Sequence, residues 1–367
     1  MIGPKAYIHK ERLKKNIEII KSRIGSRNLM IVVKANGYGH GALIISKFLS
    51  FNKEMIFCVF SIEEAMELRE GGVDNPILIF SRIQENWLDL AYQNNFWVNA
   101  AHLDDLILLR KIFESKGYCP SIHLKFDTGM TRLGFDLKER NDIFQFILDN
   151  PVLKIIGIYS HFSTADEGDL SYANYQLKLF NSLLTDAAKV GISFNYIHCS
   201  NSGSILNLNE SLFNSVRVGM LVYGVAPSDE VKMTLDVKPV MSFCGPIVNI
   251  RKVEPNTQVS YGGVYTTSKS TNIGVIQTGF SDGIPRQWYE NGYIGYNGAY
   301  FKIAGRICMD QFMVDFGNVE PQLGEEVLIF GNKNGNKIPI ELIAKDINTT
   351  AYALLTAIQG RTEHIAI

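Results

Sequence analysis

The sequence predicts an α/β fold, an N-terminal TIM (β/α)8 barrel followed by a C-terminal mostly β domain. Two observations predict it. Between about residues 28 and 218, short apolar runs alternate with longer amphipathic stretches, the pattern of parallel strands joined by crossover helices. After about residue 232 the texture changes to β-rich segments broken by Gly, Asn and Pro turns, as in Tyr293-Ile-Gly-Tyr-Asn-Gly-Ala-Tyr-Phe-Lys-Ile.

Eight runs qualify as barrel strands: Leu29–Val33, Met55–Phe60, Pro76–Phe80, Phe96–Asn99, Ile122–Phe126, Leu153–Tyr159, Phe194–Cys199 and Ser215–Val218. An open doubly wound sheet is the alternative reading of the same alternation. Between strands, Ser61-Ile-Glu-Glu-Ala-Met places Ser61 and Glu64 at capping-box spacing ahead of an apolar stripe at Ala65 and Leu68. The change of texture divides the chain into a barrel over residues 1–232 and a β domain over 233–367, with the first residues open to pairing with the β domain. One late helical stretch, Ile340–Ile347, interrupts that second domain.

Composition narrows the function. A net charge of -1 gives no electrostatic reason to expect a polyanion, so nucleic acid is not an expected partner. The N-terminus lacks a basic region followed by an apolar core, and no segment approaches the roughly 18 apolar residues that spanning a membrane needs. A cytoplasmic protein without a membrane partner is expected. The five cysteines, Cys58, Cys119, Cys199, Cys244 and Cys308, show no CxxC spacing, which suggests reduced thiols and neither a disulfide framework nor a metal site.

The strongest local signal is Ile31-Val-Val-Lys-Ala-Asn-Gly-Tyr-Gly-His-Gly41, where an apolar strand ends in Lys34 and passes into a glycine-punctuated turn. In barrels the carboxyl ends of the strands hold the active site, and an amine in a partly dry pocket deprotonates readily enough to attack a carbonyl. A strand-end lysine taken alone is ordinarily a solvated charge.

The full string VVKANGYGHG resembles the cofactor-lysine motif of the alanine racemases. The resemblance recurs in order at LKFDTGMTRLGF (124–135), GIYSHFSTAD (157–166), HCSNSGS (198–204), VRVGMLVYGVAPS (216–228), VSYGGVY (259–265), GRICMDQ (305–311) and around Tyr352. It implies an isomerase that interconverts L- and D-alanine by two-base α-proton transfer on a pyridoxal 5'-phosphate aldimine, supplying D-alanine for peptidoglycan. It also implies a homodimer with shared active sites. By resemblance, Lys34 carries the cofactor and is one base. Tyr261, from the β domain of the second subunit, is the other, with His161 and Arg217 as the neighbours that favour its phenolate. Ser202, the amides of Gly219 and Met220, Tyr38 and Tyr352 would hold the phosphate, with Asn201 and His161 also at the cofactor.

Arg217 would face the pyridine nitrogen. A guanidinium only donates, so that nitrogen stays unprotonated and the electron sink is weaker, which disfavours transamination and decarboxylation. Arg132 would reach the cofactor's phenolic oxygen and the substrate carboxylate, and Lys125 is carbamylated in part of the family. Met309 and Asp310 would meet the substrate carboxylate from the partner subunit, through a backbone N–H more naturally than through the Asp310 carboxylate. Cys308 reads as packing.

Two departures stand out: Phe280 in QTGFSDG replaces the family's usual tyrosine at the substrate entrance, and the end Ile358-Gln-Gly-Arg-Thr-Glu-His-Ile-Ala-Ile lacks the usual Arg-Val-Pro-Arg-like finish. A racemase of broader specificity, acting on serine or basic amino acids, is the nearest alternative. A basic amino-acid decarboxylase shares the architecture but is opposed by Tyr261 and Arg217, and a non-catalytic cofactor carrier normally lacks a β domain.

Overall fold

The structure is a computed structural model and describes residues 3–208 and 213–367. Eight parallel strands form the first unit: Asn28–Val32, Ile56–Val59, Ile77–Arg82, Phe96–Ala100, Ser121–Asp127, Ile155–Tyr159, Tyr196–His198 and Ser215–Val218. Each pairs with its neighbour in chain order from the first to the seventh, and the eighth pairs back onto the first with Ser215 opposite Asn28 and Val218 opposite Ile31. Across the remaining seam, the Arg217 N–H donates to the Ser200 carbonyl at 3.1 Å. The return of Ser215–Val218 to the first strand makes this a near-closed barrel and excludes the open doubly wound sheet.

Strand alternation decides which side chains enter the barrel. Met30, Val32, Ile56, Cys58, Leu78 and Trp97 pack there as a buried apolar plug. The same parity carries on upward: Lys34 follows Met30 and Val32, Lys125 follows His123, and Arg217 follows Ser215. Gly157 leaves room for this interior, since a Cβ there would stand 2.3 Å from His123 Nδ1. The outward residues of the strands join the larger core formed with the helices and the β domain.

In the second unit, Met241–Val253, Thr271–Ile276, Phe312–Asp315, Ala299–Ile303, Tyr293–Tyr296 and Glu326–Lys333 pair antiparallel in a closed circuit. The hairpin read from Tyr293 to Ile303 turns at Asn297 (φ 46°) and Gly298 (φ 81°), the positive φ pair that an Asn-Gly hairpin supplies. Strand Lys5–Ile8 lies antiparallel on Met241–Val253 and parallel to the final strand, Glu363–Ala366. The late helix spans Ile340–Asp346, and a second, Ala351–Thr356, follows it. Among the described residues no helix is long and apolar enough to cross a membrane.

Candidate active site

A cavity of about 750 Å³ opens at the carboxyl ends of the barrel strands. Its wall holds Lys34, Tyr38, Lys125, Arg132, His161, Asn201, Ser202, Arg217, Gly219 and Met220 from the barrel, and Tyr352 from helix Ala351–Thr356. Every site residue expected from the barrel half is therefore in one place.

After Lys34 the chain turns left-handed, with φ of 52°, 53°, 64° and 50° at Ala35, Asn36, Gly37 and Tyr38. Three of these are not glycine, and each costs about 1–2 kcal/mol in that region. Specific bonds hold them there. The Ala35 N–H donates to Glu64 Oε1 at 2.6 Å, the Ala42 N–H to Asn36 Oδ1 at 2.9 Å, and the Gly37 N–H to the Val33 carbonyl at 2.7 Å. Glu64 is the expected capping-box residue, and it also fixes the lysine turn. Gly39 (φ 75°) seats the turn against the helix of Tyr352, because a Cβ there would stand 2.0 Å from the Leu355 carbonyl oxygen. Tyr38 and Tyr352 consequently face each other with ring centroids 5.8 Å apart.

This docking makes Gly39→Ala a severe change. It is expected to destabilise the protein by at least about 2 kcal/mol, against about 1 kcal/mol for Gly72→Ala. Gly72 has a similar backbone (φ 87°) but nothing within 4 Å of its added Cβ, so chemical denaturation of the two variants separates docking from backbone strain.

Arg217 is 4% exposed and among the described residues holds only neutral acceptors: His198 Nδ1 at 2.6 Å, His161 Nδ1 at 3.0 Å, and the carbonyls of Ser160 (2.8 Å), His198 (3.1 Å) and Cys199 (3.3 Å). Since a guanidinium only donates, both imidazoles accept on Nδ1 and are neutral. Burial, reinforced by Arg217, holds both well below the usual histidine range. The Nε2–H of His198 is then free to donate to His123 Nδ1 at 3.0 Å. Beneath this layer, the Tyr159 ring lies 5.2 Å from the Arg217 guanidinium and 5.6 Å from Lys125 Nζ, a neutral floor for two cations.

Lys34, Lys125, Arg132 and Arg217 all face the cavity, and none has a salt bridge among the described residues. Burial lowers the Lys34 amine from its ordinary value, followed by the charge of Arg132, with Glu64 opposing and Arg217 adding to the shift. Burial and the same two arginines bring Lys125 down to about 8. The site thus makes both amines easier to deprotonate than a free lysine, and its positive charge attracts anions.

At the far end, Asn201 caps helix Ser202–Asn207: its Oδ1 accepts from the Ser204 N–H at 3.0 Å, and Ser204 Oγ accepts from the Asn201 N–H at 2.8 Å. The cap is therefore Asn201, and Ser202 is left to turn its hydroxyl toward the Gly219 N–H, 3.3 Å away. A Cβ on Gly219 would stand 3.0 Å from Tyr38 Oη, so glycine keeps this corner open.

Tyr261, Met309 and Asp310 do not line the cavity; they lie on the β domain, with Tyr261 67% and Met309 57% exposed. Tyr261 follows Ser260, whose φ of 66° and ψ of -177° fall in a region that is otherwise nearly confined to glycine and costs about 1–3 kcal/mol. The Met309 carbonyl accepts from the Ser281 N–H at 3.0 Å and its hydroxyl at 2.8 Å, while the Asp310 carboxylate is engaged by Arg361 at 2.6 Å.

Residues 8–227 match the family model for the alanine racemase N-terminal domain, and residues 240–366 that for the C-terminal domain. The chain belongs to the alanine racemase family. It is 35% identical to the alanine racemase of Desulforamulus reducens, over 99% of this chain and 98% of that protein. It is 37% identical to alanine racemase 2 of Caldanaerobacter subterraneus subsp. tengcongensis, over 96% and 92%. The crystal structure of alanine racemase from D-cycloserine-producing Streptomyces lavendulae superposes with a TM-score of 0.93 at 30% identity, covering 100% of this chain and 97% of that one.

Against this alanine racemase background, both departures acquire a place. Phe280 is 40% exposed and donates its N–H to the Cys308 carbonyl at 3.1 Å, so it backs the Met309 turn. The divergent C-terminus is used: Arg361 joins Asp282 (2.9 Å) to Asp310, and Glu363–Ala366 completes the sheet edge on Lys5–Ile8. Sequence reasoning missed Tyr159 and His198 as partners of Arg217. Both lie inside the quoted motifs, and their inward parity with Gly157 and Tyr196 is the signal that could have found them.

Proposed function

We propose that this chain is an alanine racemase, a homodimer that holds pyridoxal 5'-phosphate on Lys34 and in which the partner's Tyr261 serves as the second proton-transfer group. The observation that carries the reading is the pairing, across one cavity, of Lys34 with a buried Arg217, the lysine unpartnered and the arginine without a carboxylate beside it among the described residues. The relatives named above are alanine racemases, which favours alanine over serine or basic amino acids as substrate.

The residues fit the cofactor. Four basic side chains without salt bridges among the described residues suit a phosphorylated ligand and a substrate carboxylate, and Gly219 leaves the space a phosphate needs beside Ser202, Tyr38, Tyr352 and the Met220 amide. When bound, pyridoxal phosphate supplies the electron sink that makes an α-proton removable. Arg217 would donate to the ring nitrogen and keep it unprotonated, His161 and Asn201 would flank the ring, and Arg132 would bind the substrate carboxylate through its planar fork. Lys34, whose amine the site keeps easily deprotonated, moves the proton on one face. Tyr261 moves it on the other, and the Met309 and Asp310 turn approaches the carboxylate from the same β domain. Exposure of Tyr261 and Met309 supports this assignment to a partner's cavity. Lys125, brought down to about 8, is suited to carbamylation because only the neutral amine adds carbon dioxide. The division at residues 232 and 233, a cytoplasmic setting and D-alanine supply for peptidoglycan belong to the same proposal.

Tyr261→Phe removes one of two bases, and a positioned acid–base group is worth about 10²–10⁴ in rate. Because the enantiomers have equal free energy, kcat/KM is expected to fall by that factor equally in both directions. Racemisation undiminished in both directions would rule out the two-base assignment.

A further inference from the structure

The Tyr261 phenol makes no hydrogen bond among the described residues and is mostly exposed, so its backbone alone sets the direction in which the phenol leaves the β domain. That backbone is controlled by the residue before it. Ser260 adopts φ 66° and ψ -177°, where a glycine would sit freely and a side chain does not. The serine is kept there by three contacts, one of them the 3.8 Å approach of its Oγ to Cys308 Sγ. Its hydroxyl donates to the Arg306 carbonyl at 2.6 Å, and its Cβ lies over Gly305, where a second Cβ would stand only 2.7 Å away. Behind it, the Gly263 N–H closes the turn onto the Ser260 carbonyl at 3.2 Å, and the short ladder of Val259 opposite Tyr265 brackets both ends.

We propose that Ser260 is a positioning residue: its bond to the Arg306 carbonyl holds the strained backbone that aims Tyr261. The same bond ties the Tyr261 turn to the segment Gly305–Cys308, and through it to Met309, so the two parts of the β domain offered to the partner's cavity move as one piece. This proposal rests on the reading of Tyr261 as a proton-transfer group. Strain of this kind persists only where surrounding contacts over-determine it, and here the contacts converge on the residue preceding the phenol.

The test uses the holoenzyme with Ser260→Ala, Ser260→Gly and Tyr261→Phe, each assayed from L- and from D-alanine with and without α-deuterium. Ser260→Ala loses the hydroxyl but keeps the Cβ, so the backbone relaxes and the phenol is misaimed. Its kcat/KM is expected to fall about tenfold or more, since a misplacement near 1 Å can cost 10²-fold. Its α-deuterium isotope effect is expected to rise only in the direction in which Tyr261 removes the proton. Ser260→Gly can keep the same φ and ψ without strain and is expected to stay within about threefold of the parent. Glycine outperforming alanine is the reverse of what loss of a structural contact would give. Should Ser260→Ala yield no folded protein, Ser260→Cys, which keeps the Cβ with a weaker donor, takes its place with the same expected isotope asymmetry. A glycine variant as impaired as the alanine variant, or an alanine variant equal to the parent while Tyr261→Phe is impaired, overturns the role of Ser260. A Tyr261→Phe variant with unaltered rates and isotope effects overturns instead the reading on which it rests.

Discussion

Lys34→Ala is expected to lower racemisation by at least about 10³-fold while leaving a folded protein, because it removes both the covalent anchor of the cofactor and one of the two proton carriers. The fold should survive, since the amine has no hydrogen bond or ion pair among the described residues and the turn after it is held through Glu64, Asn36 and Gly39. Removing a partly buried cation from beside Arg132 and Arg217 also relieves repulsion, so thermal stability of the unloaded protein should hold or rise. Borohydride reduction followed by mass spectrometry should find cofactor fixed to the Lys34 peptide of the parent and none on the variant. Retention of a reducible cofactor linkage in Lys34→Ala would place the anchor elsewhere.

Acidification should destabilise the fold steeply through buried imidazoles. His40, His123 and His198 are fully buried. Burial lowers His40 to about 4 and His123 to about 3, and it holds His198 well below the usual range with Arg217 adding to the effect. In the unfolded chain each titrates near 6.5, so below that pH the unfolded state binds protons that the folded state refuses. Stability is therefore intact above about 6.5 and lost as pH falls toward the folded values. Each group contributes a slope approaching about 1.4 kcal/mol per pH unit, and the three together about 4. Urea unfolding of the unloaded protein at pH 7, 6 and 5 measures this directly. Equal unfolding free energies across that range would mean that these imidazoles take up protons in the folded state as readily as in the unfolded chain.

Much of the barrel was legible because parallel strands buried on both faces leave long apolar runs between capped helices. Ser215–Val218 was read at its observed bounds, whereas Phe194–Cys199 contracts to Tyr196–His198 and Leu153–Tyr159 to Ile155–Tyr159. The individual site residues were legible as motifs, but the lysine turn was not. Ala35 and Tyr38 have no local preference for a left-handed turn, and what imposes it comes from Glu64 and Leu355, far off in sequence. The end of the chain was opaque for a related reason. Glu363–Ala366 is a strand because Lys5–Ile8 is beside it, and a parallel pairing across nearly the whole chain leaves no local signature. Arg361 likewise gains its meaning only from Asp282 and Asp310, brought near by the fold.

Incubation of the cofactor-loaded protein with L-alanine in deuterated water tests the central claim most directly. The expected result is D-alanine accumulating to equal amounts of the two enantiomers, with deuterium at the α-carbon of the product. Neither D-alanine nor α-deuteration, with cofactor demonstrably bound, would contradict it.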